Sequence, residues 1–308
     1  MNLTLKFSII VCTHNRAISL MRLLDSLKQA LQHVRGDGEL IVVDNNSSDD
    51  TRCVIEAFQC DVPVVYQFEP RQGKGYALNA ALKKARGDLL LFTDDDVTVS
   101  RDWIAQYLKA ADNHGFGWFG GPIFPKWPAS IPAWYQNSDN KQAFVGYLVY
   151  YHLATTAREY SGEDPLPWGA SMAIRRHLLA KTGGFREDIG PTAKRRGSGE
   201  DVDMLARLCA AGARGYYVCE AVCYHRLDKE RLRYRAFVEY GFGRGIDHFR
   251  ADQTRPRGSL TGAGMHIIKG LHQILKGRGD NLRINLMHAG NEIGRLYAER
   301  LARRSSSL

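Results

Sequence analysis

Hydrophobic and polar positions alternate in blocks along the first third of the chain. Phe7-Ser-Ile-Ile-Val-Cys12 is a short apolar run that reads as a buried strand. Leu20, Leu23, Leu24, Leu27 and Leu31 then recur at helical spacing over residues 17–33. Leu40-Ile-Val-Val43 is a second apolar run and stops at Asp44, and Ser47 and Ser48 precede a helical stretch to Phe58, where N-caps belong. Val62–Phe68 predicts a third strand. Gly75–Arg86 predicts a helix with Ala77, Leu78, Ala81, Leu82 and Ala85 on one side, and Leu89–Thr93 a fourth strand. Strands alternating with helices predict an α/β fold with a doubly wound, mostly parallel sheet and flanking helices.

The middle is less regular. A strand-like stretch from Gly117 to Phe124 is broken at Gly120-Gly121-Pro122, and five of the ten prolines fall within residues 125–167, a loop-rich excursion of the kind that often binds ligands. Ser171–Ile174 predicts a short strand, Glu200 opens a helix, and Tyr216–Tyr224 predicts a strand ending at His225. From Leu232 the pattern turns helical and basic, interrupted by Gly241, Gly243 and Gly245, with amphipathic helices expected over 264–275 and 282–302.

Charge sharpens the division. Residues 1–225 hold 25 Lys+Arg against 25 Asp+Glu, whereas residues 226–308 hold 17 against 8, so the whole net charge of +9 lies in the last quarter. A neutral body with a basic tail argues against a nucleic-acid binder and for a catalytic domain whose tail meets an anionic surface. The longest apolar runs fall far short of the ~18 residues of a membrane span. No leader pattern opens the chain, and six cysteines without a C-x-x-C pair fit a reducing cytoplasm.

The candidate chemistry gathers at strand ends, where open α/β sheets bind ligands. Asp94-Asp95-Asp96 follows the fourth strand directly. Three adjacent carboxylates need a cation or a solvated turn, and oxygen ligands suit Mg²⁺ or Mn²⁺. Asp44-Asn45-Asn46-Ser47-Ser48 and Thr13-His14-Asn15-Arg16 end two further strands. Gly73-Lys74-Gly75 is a weak glycine signal, and no phosphate-loop motif is present. Glu200-Asp201 opens a helix after a Gly-rich loop, which fits either acids favoured by the helix dipole or a general base. His225 reads as a structural residue or a ligand, Trp168 as a core residue or a platform for a sugar ring, and Lys194-Arg195-Arg196 as a solvated loop or a phosphate lid.

The ordered set Ser8-Ile-Ile-Val-Cys-Thr-His-Asn-Arg16, Val42-Val-Asp-Asn-Asn-Ser-Ser-Asp-Asp-Thr51, Gly73-Lys-Gly-Tyr-Ala-Leu-Asn79, Asp94-Asp-Asp96, Trp168-Gly-Ala-Ser-Met-Ala-Ile-Arg175, Gly199-Glu-Asp-Val-Asp203 and Tyr224-His225 resembles a family 2 glycosyltransferase of GT-A fold over about residues 6–225. The resemblance implies an inverting, metal-dependent transfer from a nucleotide-sugar donor, UDP-linked in the commonest case, to a glycan or lipid-linked acceptor. It implies Thr13, Asn15, Arg16 and Asp44 near the base, and Lys74 and Gly75 near the base or diphosphate. Asp94 and Asp95 would lie beside the nucleotide, Asp96 and His225 on Mn²⁺ or Mg²⁺, Asp201 as base with Glu200 beside it, and Trp168 and Gly169 at the acceptor. Many members carry Asn where Ser171 stands, and the Gln-x-x-Arg-Trp motif of processive members is absent. The expected organisation is a catalytic domain over 1–250, with nucleotide half 1–97 and acceptor half 98–225, and a basic helical extension over 251–308. That extension would pack on the body, oligomerise, or rest peripherally on an anionic membrane face. The competing readings are a sugar-nucleotide nucleotidyltransferase, whose Gly-rich first loop is missing, and a non-enzymatic nucleic-acid binder using the tail.

Overall fold

A computed structural model describes residues 5–34, 37–192, 197–251, 259–275 and 279–305. In chain order the elements begin with β1 (Leu5–Thr13), α1 (Ala17–Leu31), β2 (Gly38–Asp44), α2 (Thr51–Ala57), β3 (Val64–Phe68), α3 (Lys74–Leu82), β4 (Gly87–Asp94) and β5 (Val97–Val99). They continue with α4 (Trp103–Asn113), β6 (Trp118–Gly120), β7 (Ile123–Lys126), the short α5 (Ala133–Gln136) and α6 (Val145–Leu148), β8 (Arg158–Glu159), β9 (Met172–Arg175) and α7 (Arg176–Thr182). The last are α8 (Glu200–Ala210), β10 (Gly215–Tyr217), β11 (Cys223–Arg226), α9 (Tyr234–Ala251), α10 (Leu260–Leu275) and α11 (Gly279–Ser305).

Eight strands form the main sheet in the order β3-β2-β1-β4-β9-β6-β10-β8. Phe7, Ile9, Ile10 and Val11 of β1 and Leu40–Val43 of β2 are all buried, as strands covered by helices on both faces must be. The leucine stripe of α1 supplies part of that cover, with Leu20, Leu23, Leu24, Leu27 and Leu31 buried. The α/β class and the parallel core therefore stand as expected. The sheet is mixed beyond β4, because β9 enters antiparallel between β4 and β6 (Phe92 opposite Met172, Trp118 opposite Ile174) and β8 runs antiparallel to β10.

Two expected strands each divide in two. The stretch 117–124 becomes β6 and β7, and 216–224 becomes β10 and β11. In each pair the first strand joins the main sheet and the second a three-stranded sheet ordered β5-β11-β7. The chain changes sheet at Gly121, whose N–H donates to the Ser171 carbonyl, and at the Val218–Ala221 turn.

Register places the strand ends side by side. Thr13 lies opposite Asp44, and Cys12 opposite Asp94. In the small sheet His225 lies opposite Val97, and the Arg226 N–H donates to the Asp96 carbonyl at 2.8 Å.

Spatial clustering divides the chain into one unit of residues 1–125, 150–187 and 200–226, and a second of 126–149, 188–199 and 227–308. In the second unit two of the glycines that interrupt the basic pattern have a packing role. A Cβ on Gly241 or Gly245 would fall about 2 Å from the Met287 or Asn291 carbonyl, and one on Gly290 or Gly294 equally close to the Val238 or Phe242 carbonyl. Helices α9 and α11 thus meet backbone to backbone, and only hydrogen fits between them. Phe144, Tyr147, Leu148, Phe237 and Tyr240 form the unit's own buried cluster. Buried Asp247 of α9 accepts the N–H groups of Gly190 and Ser198, tying both feet of the loop before α8.

Candidate active site

The carboxyl ends of β1, β2 and β4 carry the site. Asp94 closes β4, and Asp95 and Asp96 form the turn into β5. Thr13 Oγ1 donates to Asp95 Oδ2 at 2.8 Å, and one Arg16 nitrogen reaches Asp95 Oδ1 at 2.9 Å and Asp96 Oδ2 at 2.8 Å. Burial raises the Asp95 carboxyl above its ordinary range, with Arg16 opposing and Asp96 adding. His225, buried on β11, sets Nε2 at 3.3 Å from Asp96 Oδ1, while its Nδ1 has no hydrogen-bond partner among the described residues.

Lys74 begins α3 and points into the acids. Its Nζ lies 2.7 Å from Asp94 Oδ1 and 3.2 Å from Glu200 Oε1. Burial alone would lower this ammonium, but Asp94, Glu200 and Asp201 together hold it well above its ordinary value. Glu200 is 2% exposed, and its Oε2 has no hydrogen-bond partner among the described residues. Burial pushes its carboxyl up to about 7, with Lys74 opposing and Asp201 adding. Asp201 Oδ2 accepts the Gly169 N–H at 2.6 Å, and Oδ1 accepts the Val202 N–H at 2.8 Å. A Cβ on Gly169 would stand 3.3 Å from Asp201 Oδ2 and 3.5 Å from Lys74 Nζ, so the glycine keeps that approach open. At Gly75 the constraint is tighter, since a Cβ there would meet the Arg186 carbonyl oxygen at 2.3 Å.

The other candidates form a neighbouring group. Asp44 accepts from the Ser47 N–H at 2.8 Å and from the Tyr66 hydroxyl at 3.2 Å. Asn15, at φ +52°, takes the Ser48 N–H on Oδ1 and gives its own N–H to Ser47 Oγ. Trp168 is half-buried, its ring centroid 5.7 Å from that of Tyr151. Lys194, Arg195 and Arg196 lie outside the described residues.

The sequence marks three further residues without revealing that they hold other segments in place. Buried Asn45 donates to the Glu69 and Arg71 carbonyls and accepts the Gly73 N–H, so one amide shapes the loop that delivers Lys74. Asn79 does the same for the Phe185 backbone, accepting its N–H and donating to its carbonyl. Ser171 is fully buried, bonded to Trp103 Nε1, the Tyr107 hydroxyl and the Ala221 carbonyl, so it ties core elements together. The only sequence signal for Asn45 is its place directly after a strand-ending Asp.

Among the described residues no group of three or more His, Cys, Asp or Glu side chains is arranged to hold a metal. The pair Asp96 and His225 nevertheless fits a divalent ion that completes its shell on a diphosphate. Hard cations of this kind take one or two carboxylates and keep other positions for phosphate oxygens. The strand ends thus bring together the Asp96–His225 pair, a buried lysine between carboxylates, and paired acids at a helix start.

The family model "Glycosyl transferase family 2" matches residues 8–183. The succinoglycan biosynthesis protein ExoM of Rhizobium meliloti is 27% identical over 252 residues, 81% of this chain and 76% of that protein. The Staphylococcus aureus poly(ribitol-phosphate) beta-N-acetylglucosaminyltransferase TarS is 32% identical over 112 residues, 36% of this chain and 19% of that protein. The mannosyltransferase PcManGT of Pyrobaculum calidifontis, solved with GDP-Man and Mn²⁺, shares the fold at a TM-score of 0.58 and 20% identity, covering 99% of this chain and 81% of that one. With more than half its length matched by the family model, the chain belongs to glycosyl transferase family 2 and is a nucleotide-sugar-dependent glycosyltransferase.

Proposed function

We propose that the chain transfers a sugar, with inversion at the anomeric carbon, from a nucleoside-diphosphate sugar to a hydroxyl of a glycan or lipid-linked acceptor. The observation that carries this reading is Lys74, held between Asp94 of the strand-end acids and Glu200 of the α8 acids. It joins the side that would take the diphosphate to the side that would meet the acceptor. A UDP-linked donor is the first expectation. Asn15, Asp44 and the Ser47–Ser48 turn would take the base, and Trp168 and Gly169 would border the acceptor. PcManGT was solved with GDP-Man, so both nucleotides belong in the test.

Asp96 and His225 would hold a divalent ion, which when bound supplies positive charge at the leaving diphosphate. The acceptor hydroxyl is a poor nucleophile, and Asp201 accepts its proton as the new bond forms, help worth about 10²–10⁴-fold. The amides of Gly169 and Val202 fix the Asp201 carboxylate in place, and Gly169 leaves room beside it. A single base and direct displacement give inversion. Glu200 is the second reading for the base, favoured by its unpartnered Oε2 and a carboxyl that titrates close to neutrality.

The test is a panel of UDP- and GDP-sugars with Mn²⁺ or Mg²⁺, read by nucleoside-diphosphate release and by the anomeric configuration of the product. Nucleoside-diphosphate release with an inverted linkage supports the proposal. Pyrophosphate release from a nucleoside triphosphate and a sugar phosphate would replace it with nucleotidyl transfer.

A further inference from the structure

Helix α10 carries its apolar residues on the wrong side for a packed helix. Ala263 and Gly270 are buried, and a Cβ on Gly270 would stand 2.9 Å from the Leu282 side chain of α11, which defines the packed side. On the remaining surface Leu260 and Ile268 are 68% and 67% exposed, and Met265, Ile267 and Leu271 between 40% and 54%. At 100° per residue, Leu260, Ile267, Ile268 and Leu271 share one continuous arc, with Met265 at its rim. Five large apolar side chains on one arc of a 16-residue helix exceed the scattered exposure ordinary for a surface.

In linear sequence, the stretch that carries α10 is charged in one direction only. From Gln253 to Gly279 there is no Asp or Glu, while Arg255, Arg257, Lys269, Lys276 and Arg278 are all cationic. A second copy of this stretch would meet it with the same sign of charge, the exposed Lys269 of α10 included. A bilayer carrying anionic headgroups takes both features together, apolar side chains at the acyl boundary and cations among the phosphates. No described helix is long and apolar enough to cross a membrane, so α10 would lie in the plane of the interface.

We propose that the exposed face of α10 is a docking surface for an anionic lipid bilayer. The proposal is independent of the sugar-transfer reading, because vesicle binding is measured with no donor present.

The test is flotation of the full chain with vesicles of phosphatidylethanolamine and phosphatidylglycerol, against vesicles of phosphatidylcholine alone. The expected result is recovery with the anionic vesicles only, falling as salt is raised. The double variant Ile268→Asp/Leu271→Asp, and separately Leu260→Asp at the far end of the helix, should each lower recovery about tenfold at unchanged helical content. Absence of binding to anionic vesicles, equal binding to neutral ones, or undiminished binding by both variants would overturn it. So would a concentration-dependent dimer that these substitutions abolish, which assigns the face to a second copy.

Discussion

His225 Nε2 lies 3.3 Å from Asp96 Oδ1 because β11 pairs antiparallel with β5, setting His225 opposite Val97, one residue beyond Asp96. Strand pairing thus brings a histidine from the end of the catalytic unit to an acid of the fourth strand's turn. If this pair seats a cation, Asp96→Ala or His225→Ala should weaken Mn²⁺-dependent binding of nucleoside diphosphate by roughly 10- to 100-fold. Titration calorimetry with and without Mn²⁺ measures it, and an unchanged enthalpogram in either variant removes that residue from the cation seat.

Lys74 should matter to folding as well as to substrate. Its ammonium compensates Asp94 and Glu200, and removing one partner of a buried charge set costs about 3–5 kcal/mol. Lys74→Met should therefore lower the urea midpoint markedly. Adding Glu200→Gln should recover part of the loss, because the double variant leaves less charge uncompensated. Losses that simply add would mean the two side chains do not interact.

The Glu200 carboxyl gives a signature in pH. Burial raises it to about 7 from an ordinary value of 4.5. Between those values the folded chain keeps a proton that the unfolded chain has released, so this group's contribution to stability is full below about 4.5 and is lost as pH rises towards 7. The wild type's unfolding free energy relative to Glu200→Gln should accordingly decline across that window. Parallel urea-unfolding profiles for the two proteins would mean that Glu200 ionises as an ordinary glutamate.

Asn45 supports the site without facing it. Asn45→Ala removes three hydrogen bonds from the loop 69–73 and leaves a buried N–H at Gly73. A cost of about 1–3 kcal/mol is expected for a donor left unsatisfied, together with weaker nucleotide binding through a displaced Lys74. Asn45→Asp should restore the bond from Gly73 but not the two that the amide donates. Wild-type nucleotide affinity in Asn45→Ala would show that the loop holds its shape unaided.

How much of this could be read beforehand follows the range of the interactions. Strands β1, β2 and β4 were legible because buried parallel strands are continuous apolar runs, and the acids at their ends stood out as abrupt changes of polarity. Glu200-Asp201 and His225 were legible as polar residues at element boundaries. The insertion of β9 between β4 and β6 was not, since a four-residue strand carries no local sign of its neighbours. The division of 117–124 and 216–224 between two sheets was hidden for the same reason. Gly241 and Gly245 read in the sequence only as interruptions of a helical pattern, because the α11 backbone they admit lies some 46 residues further along the chain. Asn45 and Asn79 act through backbone groups far along the chain, and Ser171 chiefly through the distant Trp103 and Tyr107 side chains, which no local pattern records.

The proposed transfer requires Asp201 to receive the acceptor's proton beside a bound donor. The most direct measurement is Asp201→Asn assayed for sugar transfer and, on the same preparation, for nucleoside-diphosphate affinity. The expected result is transfer reduced by about 10²–10⁴-fold with affinity within roughly twofold of wild type. Full transfer by Asp201→Asn, alongside a collapse of transfer in Glu200→Gln, would contradict the assignment and move the base by one residue.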